Sequence, residues 1–580
     1  MQTRITKENR LLTLTIALLL VLGSFLFFRW ALPYHLLFKE QLKLFIHTSG
    51  HFSSYFSKPA WLVSYCGDFL TQLFYLKGGG PAVAALLFLI EWLLVKRVIA
   101  LFGNRHFSPL WALFPVAADW IFFANIGYTI SIPFAFILIL SVFLIYTQIG
   151  HKWASLFTGL LLIPFLYWIA GAGMFFFALI LVLYEIRQKR IRIAYWVIIL
   201  LLAAAIPYLF RPVYLLTIKQ AYLFPYPGLK ETLPFIVLFV MLILMLFRPV
   251  KEMERHVVPF ALSIASAPVF LIAGLWINTR FEQEKILAIT TEYYYGNNDK
   301  VIELAEKYEF SKPIVSYYTN LALSSRGELG DRLMDYYQPA YHGLFLPDNS
   351  DTDWFTLFFS NDVFFYVGDM NLATRSAMQG IISSPYNQSA RLVMRLAEIN
   401  VITNDKPAAE KYIRILERAW FYKEKAQELR ALLDEDLAEQ SAWLQQKRSQ
   451  SATRDIIRTA ENYPAALNIL LESNPKNREA LDYLLCYYLL DKNLDGFKAA
   501  FDRYHTGTAE RCYQQALLIY FAEKGTKQKE IDKYQLHKQM IDGFNRYNEC
   551  FEESEGNLDT MQEAFPRTYW LYYHFGTMTE

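Results

Sequence analysis

Hydrophobic residues occur in long blocks up to Ile277, whereas charged residues are frequent after it and no later apolar block approaches membrane length. A membrane-spanning helix needs roughly 20 mainly apolar residues. Nine segments are predicted to be spans: 11–32, 81–95, 109–124, 126–148, 153–172, 174–186, 193–210, 235–247 and 257–277. The pattern therefore predicts a membrane domain over residues 1–277 and a water-soluble domain over residues 278–580.

The loops between these segments carry unequal positive charge. With the N-terminus in the cytoplasm, lysine and arginine are dense in the short inner loops, such as residues 187–192, and sparse in the outer loops. This asymmetry is the one that the positive-inside rule requires. Nine spans then place the C-terminal domain outside the cytoplasm. Two long outer loops are expected, over residues 33–80 and 211–234.

The first outer loop contains a pattern that predicts an amphipathic helix lying in the membrane interface. Its apolar face is formed by Leu62, Tyr65, Cys66, Phe69, Leu70, Leu73 and Phe74. Its polar face is formed by Ser64, Asp68, Thr71 and Gln72. Gly78 and the residues up to Pro81 are expected to end this helix.

The C-terminal half has the periodicity of successive helix pairs. The predicted helices are 281–295, 301–310, 354–367, 372–382, 389–402, 407–420, 478–490 and 494–504. A helix–turn–helix unit of about 34 residues is the tetratricopeptide (TPR) period, and residues 474–481, NPKNREAL, resemble the junction between such repeats. The expected fold is therefore all-α, with a polytopic helical membrane bundle followed by a TPR-like α-solenoid. Such a solenoid has a concave groove that binds a peptide or a partner protein.

Composition narrows the possible classes of function. The chain is 54% hydrophobic and 19% charged with a net charge of +2, so it is not a disordered chain and has no general attraction to nucleic acid. Its four cysteines form no CxxC or other metal-ligand pattern. Walker, GxGxxG, GxSxG and HExxH motifs are absent from the sequence. Residues 348–353 look like a calcium loop but lack its glycine and glutamate, so capping of a helix at Trp354 is expected instead.

Three acids fall within predicted spans, where a charge is costly and usually faces the bundle interior or a wet cavity. Glu91 precedes Lys96 and Arg97 and is expected to pair with them, and Glu185 is expected to pair with Arg187. Asp119 is a candidate site residue. The alternative is that Asp119 reaches the outer interface or caps local backbone groups.

Two resemblances add expectations about function. Residues 67–75, GDFLTQLFY, resemble an uncharacterised family of polytopic membrane proteins from Bacteroidota (domain of unknown function 6057), which implies no established activity. The order of parts is similar to the GT-C glycosyltransferases, which join a long first outer loop to a multi-span bundle and often to an extracytoplasmic C-terminal domain. That resemblance implies transfer of a sugar from a polyprenyl-phosphate donor, with a possible divalent cation. Most GT-C enzymes have acids shortly after the first span, whereas residues 30–38 here have none.

The outer loops hold the candidate residues for such chemistry. Glu40 and Asp68 are the only acids in the first outer loop, and a carboxylate there could deprotonate an acceptor hydroxyl or hold a metal ion near the carrier phosphate. Asp68 is favoured because it lies on the polar face of the amphipathic helix; alternatively, it faces solvent or pairs with Lys77. Arg211 and Lys219 are candidates for binding the carrier phosphate, or they are anchors in an aromatic belt.

Three functions fit these patterns. The first is a lipid-linked sugar transferase, the second is a membrane-anchored scaffold that binds a protein or peptide through its TPR-like groove, and the third is a transporter. The spans show no clear internal repeat, which a transporter would often have. The resemblance to a Bacteroidota family implies the inner membrane, with a periplasmic C-terminal domain. Whether the protein is an enzyme stays open at the level of sequence.

Overall fold

The fold is known from a computed structural model that describes residues 2–103, 107–190, 192–247, 257–308, 311–349, 351–454 and 462–576. Over these residues every regular element is a helix, so the all-α prediction is confirmed. The chain divides into two compact units. The first unit is Met1–Glu284 with Arg418–Phe421, and the second is Lys285–Glu417 with Tyr422–Glu580.

Helices account for most of the first unit. They are α1 (Gln2–Leu26), α2 (Pro33–Gln41), α3 (Ser49–Ser54), α4 (Trp61–Thr71), α5 (Gly79–Leu101), α6 (Ser108–Trp111), α7 (Leu113–Phe123), α8 (Ser131–Tyr146), α9 (Lys152–Ala170), α10 (Gly173–Arg187), α11 (Ile193–Phe210), α12 (Ile218–Leu223), α13 (Leu233–Phe247) and α14 (Val257–Asn278). A π-helical turn, Phe27–Ala31, follows α1. Each apolar segment predicted to be a span falls on one or two of these helices.

Among the described residues, three helical segments are long and apolar enough to cross a membrane: Leu11–Ala31, Lys152–Ala170 and Ile193–Phe210. Shorter apolar helices are Ser108–Phe123, Ser131–Tyr146 and Ala265–Asn278. By length and composition these helices are consistent with a membrane protein. The count of nine spans stays a prediction.

Helix α4 packs against α8 and α9. Its buried residues, Val63, Gly67 and Thr71, form one stripe. The approach at Gly67 is so close that a Cβ there would lie 2.6 Å from the backbone nitrogen of Ser131. The most deeply buried stripe of α4 is thus not the apolar face predicted from the sequence. Most of that face is half-buried, namely Leu62, Tyr65, Cys66, Phe69, Leu70 and Leu73, although Leu62, Leu70 and Leu73 do pack against the core. A stripe centred on glycine lets two backbones meet where larger side chains would hold them apart.

Helix α11 contains Pro207, which has no N–H and so cannot donate to the carbonyl group four residues earlier. In the same turn, the Ala204 carbonyl oxygen accepts a hydrogen bond from the Tyr222 hydroxyl at 2.6 Å. Tyr222 lies on α12, whose first turn is closed by a capping box between Thr217 and Gln220. The second long loop is therefore attached to the proline turn of α11.

The remaining helices follow in chain order. They are α15 (Phe281–Tyr294), α16 (Asn298–Tyr308), α17 (Pro313–Ser325), α18 (Leu329–Arg332), α19 (Trp354–Phe359), α20 (Asn361–Val367), α21 (Met370–Ser383), α22 (Ala390–Ile402), α23 (Lys406–Leu416), α24 (Lys423–Ala431), α25 (Glu435–Gln440), α26 (Ala442–Gln450), α27 (Tyr463–Ser473), α28 (Arg478–Leu490), α29 (Leu494–Tyr504), α30 (Arg511–Lys524), α31 (Gln528–Ile531), α32 (Lys538–Glu553), α33 (Leu558–Ala564) and α34 (Tyr569–Phe575).

Most predicted helices of the second unit lie where the periodicity places them. Helices α28 and α29 begin and end at the predicted residues, and the side chains of Asn477 and Asn493 cap their N-termini. The Asp353 side chain caps α19 by accepting from the backbone N–H groups of Phe355 and Thr356, as expected for the segment that looks like a calcium loop. The predicted helix 354–367 is divided at Ser360. The TPR-like assignment itself stays a prediction.

A buried ionic network joins three helices of the second unit. The Asp362 carboxylate on α20 accepts hydrogen bonds from the Tyr318 hydroxyl at 2.6 Å, from Arg391 at 2.6 Å and from Arg395 at 3.1 Å. The side chains of Asp362 and Arg391 are 1% and 2% exposed. Burial alone would raise the pKa of Asp362, but the two guanidinium groups outweigh it and hold that pKa below its usual value.

Candidate functional site

Asp68, the favoured catalytic candidate, lies in a polar cluster of the first unit. Helix α4 carries it, and the side chain is 15% exposed. Its carboxylate forms an ion pair with Lys43 and accepts a hydrogen bond from the Tyr55 hydroxyl at 2.9 Å. The alternative partner expected from the sequence, Lys77, is not the one that the structure shows.

Two histidines extend this cluster. His51 Nε2 lies 3.4 Å from the Tyr55 hydroxyl, and burial lowers the pKa of His51 although the Asp68 carboxylate partly offsets that effect. Burial and the neighbouring Asp68 charge raise the pKa of Tyr55. His47 Nε2 lies 3.1 Å from Gln72 Oε1. The cluster thus contains a carboxylate, an ammonium group, a phenol and two imidazoles.

Aromatic rings surround these polar groups. The Phe45 ring contacts the rings of both histidines and of Tyr65 at centroid distances of 5.0–5.2 Å. Trp420, which belongs to the first unit, stacks on His47 with a centroid distance of 4.3 Å and an interplanar angle of 11°. The Trp420 side chain is 53% exposed. Aromatic faces beside hydrogen-bonding groups are typical of surfaces that bind amphipathic ligands such as sugars.

The two long loops predicted to lie outside meet at the C-terminal end of α9. The Ala60 backbone N–H donates to Tyr167 O at 3.3 Å, and the Ala172 N–H donates to Phe224 O at 2.8 Å. Between these contacts, a Cβ on Gly171 would lie 2.2 Å from Phe224 O and 2.9 Å from the Ala60 Cβ. The segment that carries Asp68 and the loop that carries the candidate cations are therefore anchored to the same turn.

The other loop candidates lie in different environments. Glu40 is on α2 and only 5% exposed, so it is less accessible than Asp68. Arg211 directly follows α11, and Lys219 is an exposed residue of α12. Within the part of the chain that the structure describes, no ion pair or hydrogen bond joins either cation to Asp68.

Asp119 lies in a second, buried centre of the first unit. Its side chain is 1% exposed, and it accepts a hydrogen bond from the Tyr128 hydroxyl. The Glu91 carboxyl group, 0% exposed, lies within hydrogen-bonding reach of the Asp119 carboxyl group. The expected pairing of Glu91 with Lys96 and Arg97 is wrong, because Glu91 faces Asp119 instead. Lys96 lies over the Trp92 ring, 5.0 Å from its centroid.

Helix α2 brings further buried charge toward this centre. Lys39 Nζ donates to Phe123 O at 3.0 Å, and burial lowers the pKa of Lys39 to about 7. The Glu284 carboxylate accepts the backbone N–H groups of Tyr34 and His35 at 2.6 and 3.0 Å. These two N–H groups belong to the first turn of α2, where helical N–H groups have no partner within the helix. Glu284 therefore fixes the start of the helix that carries Lys39.

Sequence reasoning missed several members of both centres. Lys43, Tyr55, His47 and His51 were not singled out from the sequence. No short sequence motif links these residues to Asp68, because they lie on separate helices and the turns between them. Among the described residues, no group of three or more His, Cys, Asp or Glu side chains is placed to hold a metal ion.

The fold defines an all-helical protein with membrane-length helices in its first unit and a helical second unit. Residues 8–576 match DUF6057, a family of unknown function, and the chain belongs to that family. The uncharacterised family expected from the sequence is therefore confirmed, whereas its Bacteroidota origin and the likeness to GT-C and TPR proteins stay predictions. No curated protein and no solved structure matches the chain.

Proposed function

We propose that the protein transfers a sugar from a polyprenyl-phosphate carrier to an acceptor hydroxyl, with Asp68 as the general base. The observation that carries this proposal is the polar cluster of Asp68, Lys43 and Tyr55, which is partly exposed and surrounded by aromatic rings. Asp68 would accept the proton of the acceptor hydroxyl as that oxygen bonds to the anomeric carbon. The bond from that carbon to phosphate oxygen breaks, and polyprenyl phosphate leaves.

Cations near the cluster have a natural role in this scheme. Lys43 pairs with Asp68 in the absence of a substrate. An arriving phosphate would compete for the Lys43 ammonium group and so free the carboxylate to accept a proton. Arg211 and Lys219 lie on the loop that meets the Asp68 segment at Gly171, and we assign them to the departing phosphate.

The residues around Asp68 do not form a resident metal site. Both carboxylate oxygens already have partners in Lys43 and Tyr55, and no second carboxylate lies in this cluster among the described residues. Hard divalent cations take six or more oxygen ligands. A divalent cation would therefore have to arrive with the carrier phosphate, and no step of the scheme passes through it.

The proposed topology is nine spans in the inner membrane, with the N-terminus in the cytoplasm and the second unit in the periplasm. Its support is that all nine apolar segments are helical and that cations concentrate on one side. Reporter fusions after Ile277 should report the periplasm, and fusions within residues 187–192 should report the cytoplasm. A cytoplasmic signal from fusions after Ile277 would contradict the proposal, because the second unit would then lie on the side of the membrane opposite to the outer leaflet.

A second candidate function is a scaffold that binds a protein or peptide through a TPR-like groove. A specific feature favours it: an open groove of about 700 Å³ between α21 and α22. Exposed Met378 and Ile382 lie beside Asn371, Gln379 and Asn400 in its lining. This mixture of apolar and amide side chains suits an extended peptide, and it needs no catalytic acid.

Asp68→Asn distinguishes the two functions, because it removes the charge while it keeps the size of the side chain. For a general base, we expect loss of transfer by about a hundredfold or more. The measurement compares envelope glycans by mass spectrometry in cells that express wild-type or variant protein at equal levels in the membrane. Glu231→Gln is the matched control, since Glu231 is an acid of the second outer loop. Normal glycans with Asp68→Asn would reject catalysis at Asp68 and favour the scaffold.

A further inference from the structure

The pair of Glu91 on α5 and Asp119 on α7 takes no part in the proposed transfer. Their side chains are 0% and 1% exposed, and their carboxyl groups lie within hydrogen-bonding reach of each other. Apart from that contact, both oxygens of Glu91 and Oδ2 of Asp119 have no hydrogen-bond partner among the described residues. Two buried carboxylates in contact repel each other and have lost their hydration, so the pair needs a compensating positive charge.

A third buried acid shows how this unit neutralises a carboxylate with side chains. Glu185 is also 0% exposed, and its ion pairs are with Arg190 and Arg192 at 3.5 and 3.6 Å rather than with the expected Arg187. Among the described residues no arginine, lysine or histidine forms such an ion pair with Glu91 or Asp119. The compensating charge for the pair must therefore come from a more distant group or from a bound cation.

The groups that face the pair come from several segments. Tyr128 donates its hydroxyl hydrogen to Asp119. The Tyr226 hydroxyl on the second long loop is buried without a hydrogen-bond partner, and Asp119 is the charged group that acts on it. Lys39 interacts electrostatically with Asp119.

Lys39 is in turn influenced by Lys43 and Glu284, and His35 lies beside Glu284. Lys39 carries at most one positive charge, and it also interacts with Glu284. It therefore supplies no more than one positive charge to the pair. Two carboxylates and one ammonium group leave one negative charge without compensation.

We propose that Glu91 and Asp119 form a binding site for one monovalent cation, either a proton shared by the two carboxyl groups or an alkali-metal ion held between them. One added positive charge brings the carboxyl pair and Lys39 to neutrality, which a buried environment strongly favours. The carboxyl oxygens that have no hydrogen-bond partner supply oxygen ligands for either occupant, and the buried Tyr226 hydroxyl is a further candidate ligand. A divalent ion fits poorly, because its second positive charge would leave the carboxyl pair and Lys39 with a net positive charge in a buried environment.

The test uses the full chain, purified in detergent, and measures both occupants. Infrared spectroscopy in H₂O and D₂O detects the carbonyl band of a protonated carboxyl group. Thermal unfolding in sodium, potassium or N-methylglucamine chloride at equal ionic strength detects an alkali ion, because a ligand of the folded state raises Tm with concentration. The variants are Glu91→Gln and Asp119→Asn, and Tyr226→Phe leaves every charge in place.

A shared proton predicts a carboxyl band that disappears in Glu91→Gln and shifts in Tyr226→Phe. An alkali ion predicts a Tm that rises with sodium or potassium in wild type and loses that dependence in Glu91→Gln. Glu185→Gln, the matched buried control, should change neither signal, and Asp68→Asn should leave both intact even where transfer is lost. If wild type shows no alkali dependence and no carboxyl band that responds to Glu91, Asp119 or Tyr226 substitution, the site does not exist.

Discussion

Removal of the Asp362 carboxylate is expected to destabilise the second unit strongly. Asp362→Asn keeps the shape of the side chain but leaves Arg391, only 2% exposed, without its ion pair to that carboxylate. Arg395 keeps its ion pair to Glu398 at 2.9 Å, so the loss falls mainly on Arg391. Removing one partner of a buried ion pair costs about 3–5 kcal/mol. We expect the lower end of that range, because the amide can still accept from Tyr318.

Hydrogen exchange measured by mass spectrometry on the full chain is the suitable assay. It reports local opening of α20 and α22 without requiring the whole protein to unfold in one step. A loss of about 3 kcal/mol corresponds to roughly a hundredfold faster exchange in these helices. The Asp362 network should stabilise the folded state fully above the ordinary carboxyl pKa of about 3.9. That stabilisation should be lost as pH falls through the lower pKa of folded Asp362.

Two comparisons make the reasoning refutable. Arg414→Ala removes an exposed pair with Glu410, whose side chains are 59% and 45% exposed, and should cost no more than about 1 kcal/mol. Asp362→Leu combined with Arg391→Met should recover most of the loss, because a buried ion pair replaced by apolar groups is often neutral. If Asp362→Asn exchanges no faster than Arg414→Ala, the network does not stabilise these helices.

Two further predictions concern single side chains. Burial raises the pKa of Asp482 to about 7. Between about pH 4 and pH 7 the folded state therefore binds a proton that the unfolded state has released. As a result, the free energy of unfolding falls as pH rises toward 7. Asp482→Asn should remove that dependence, so its Tm should exceed the Tm of wild type by more at pH 8 than at pH 5. An equal Tm difference at both pH values would contradict the assignment. Gly67→Ala would place a Cβ 2.6 Å from the Ser131 backbone nitrogen and should cost about 1–3 kcal/mol. Gly50→Ala is its control, because a Cβ added at Gly50 would contact no neighbouring atom within 4 Å. Equal Tm values for the two variants would show that α4 is not tightly packed.

The sequence predicts the helices well because helix signals are local. Helix α11 and helix α28 have the predicted bounds, since apolar runs, three–four spacing and capping residues such as Asn477 all act within a few positions. The division at Ser360 was not predicted, although Ser360, Asn361 and Asp362 interrupt the apolar run there. Sequence alone could also not show that α23 ends at Leu416.

The candidate sites were only partly predictable, because their geometry depends on contacts between distant segments. Asp68 and Asp119 stand out from the sequence as rare acids in apolar surroundings. Their partners do not: Lys43 lies 25 residues from Asp68, and Glu91 reaches Asp119 from another helix. The expected pairing of Glu91 with Lys96 failed because an α-helix turns those side chains to different faces.

The bond from Tyr222 to the proline turn of α11 has a consequence for how this family varies. Pro207 leaves the Ala203 carbonyl oxygen without its usual helical donor, whereas the Tyr222 hydroxyl donates to the next carbonyl oxygen, that of Ala204. The bond therefore does not replace the one that the proline removes, and its role is to hold the second long loop to α11. Tyrosine at position 222 should persist across DUF6057 whether or not position 207 is proline.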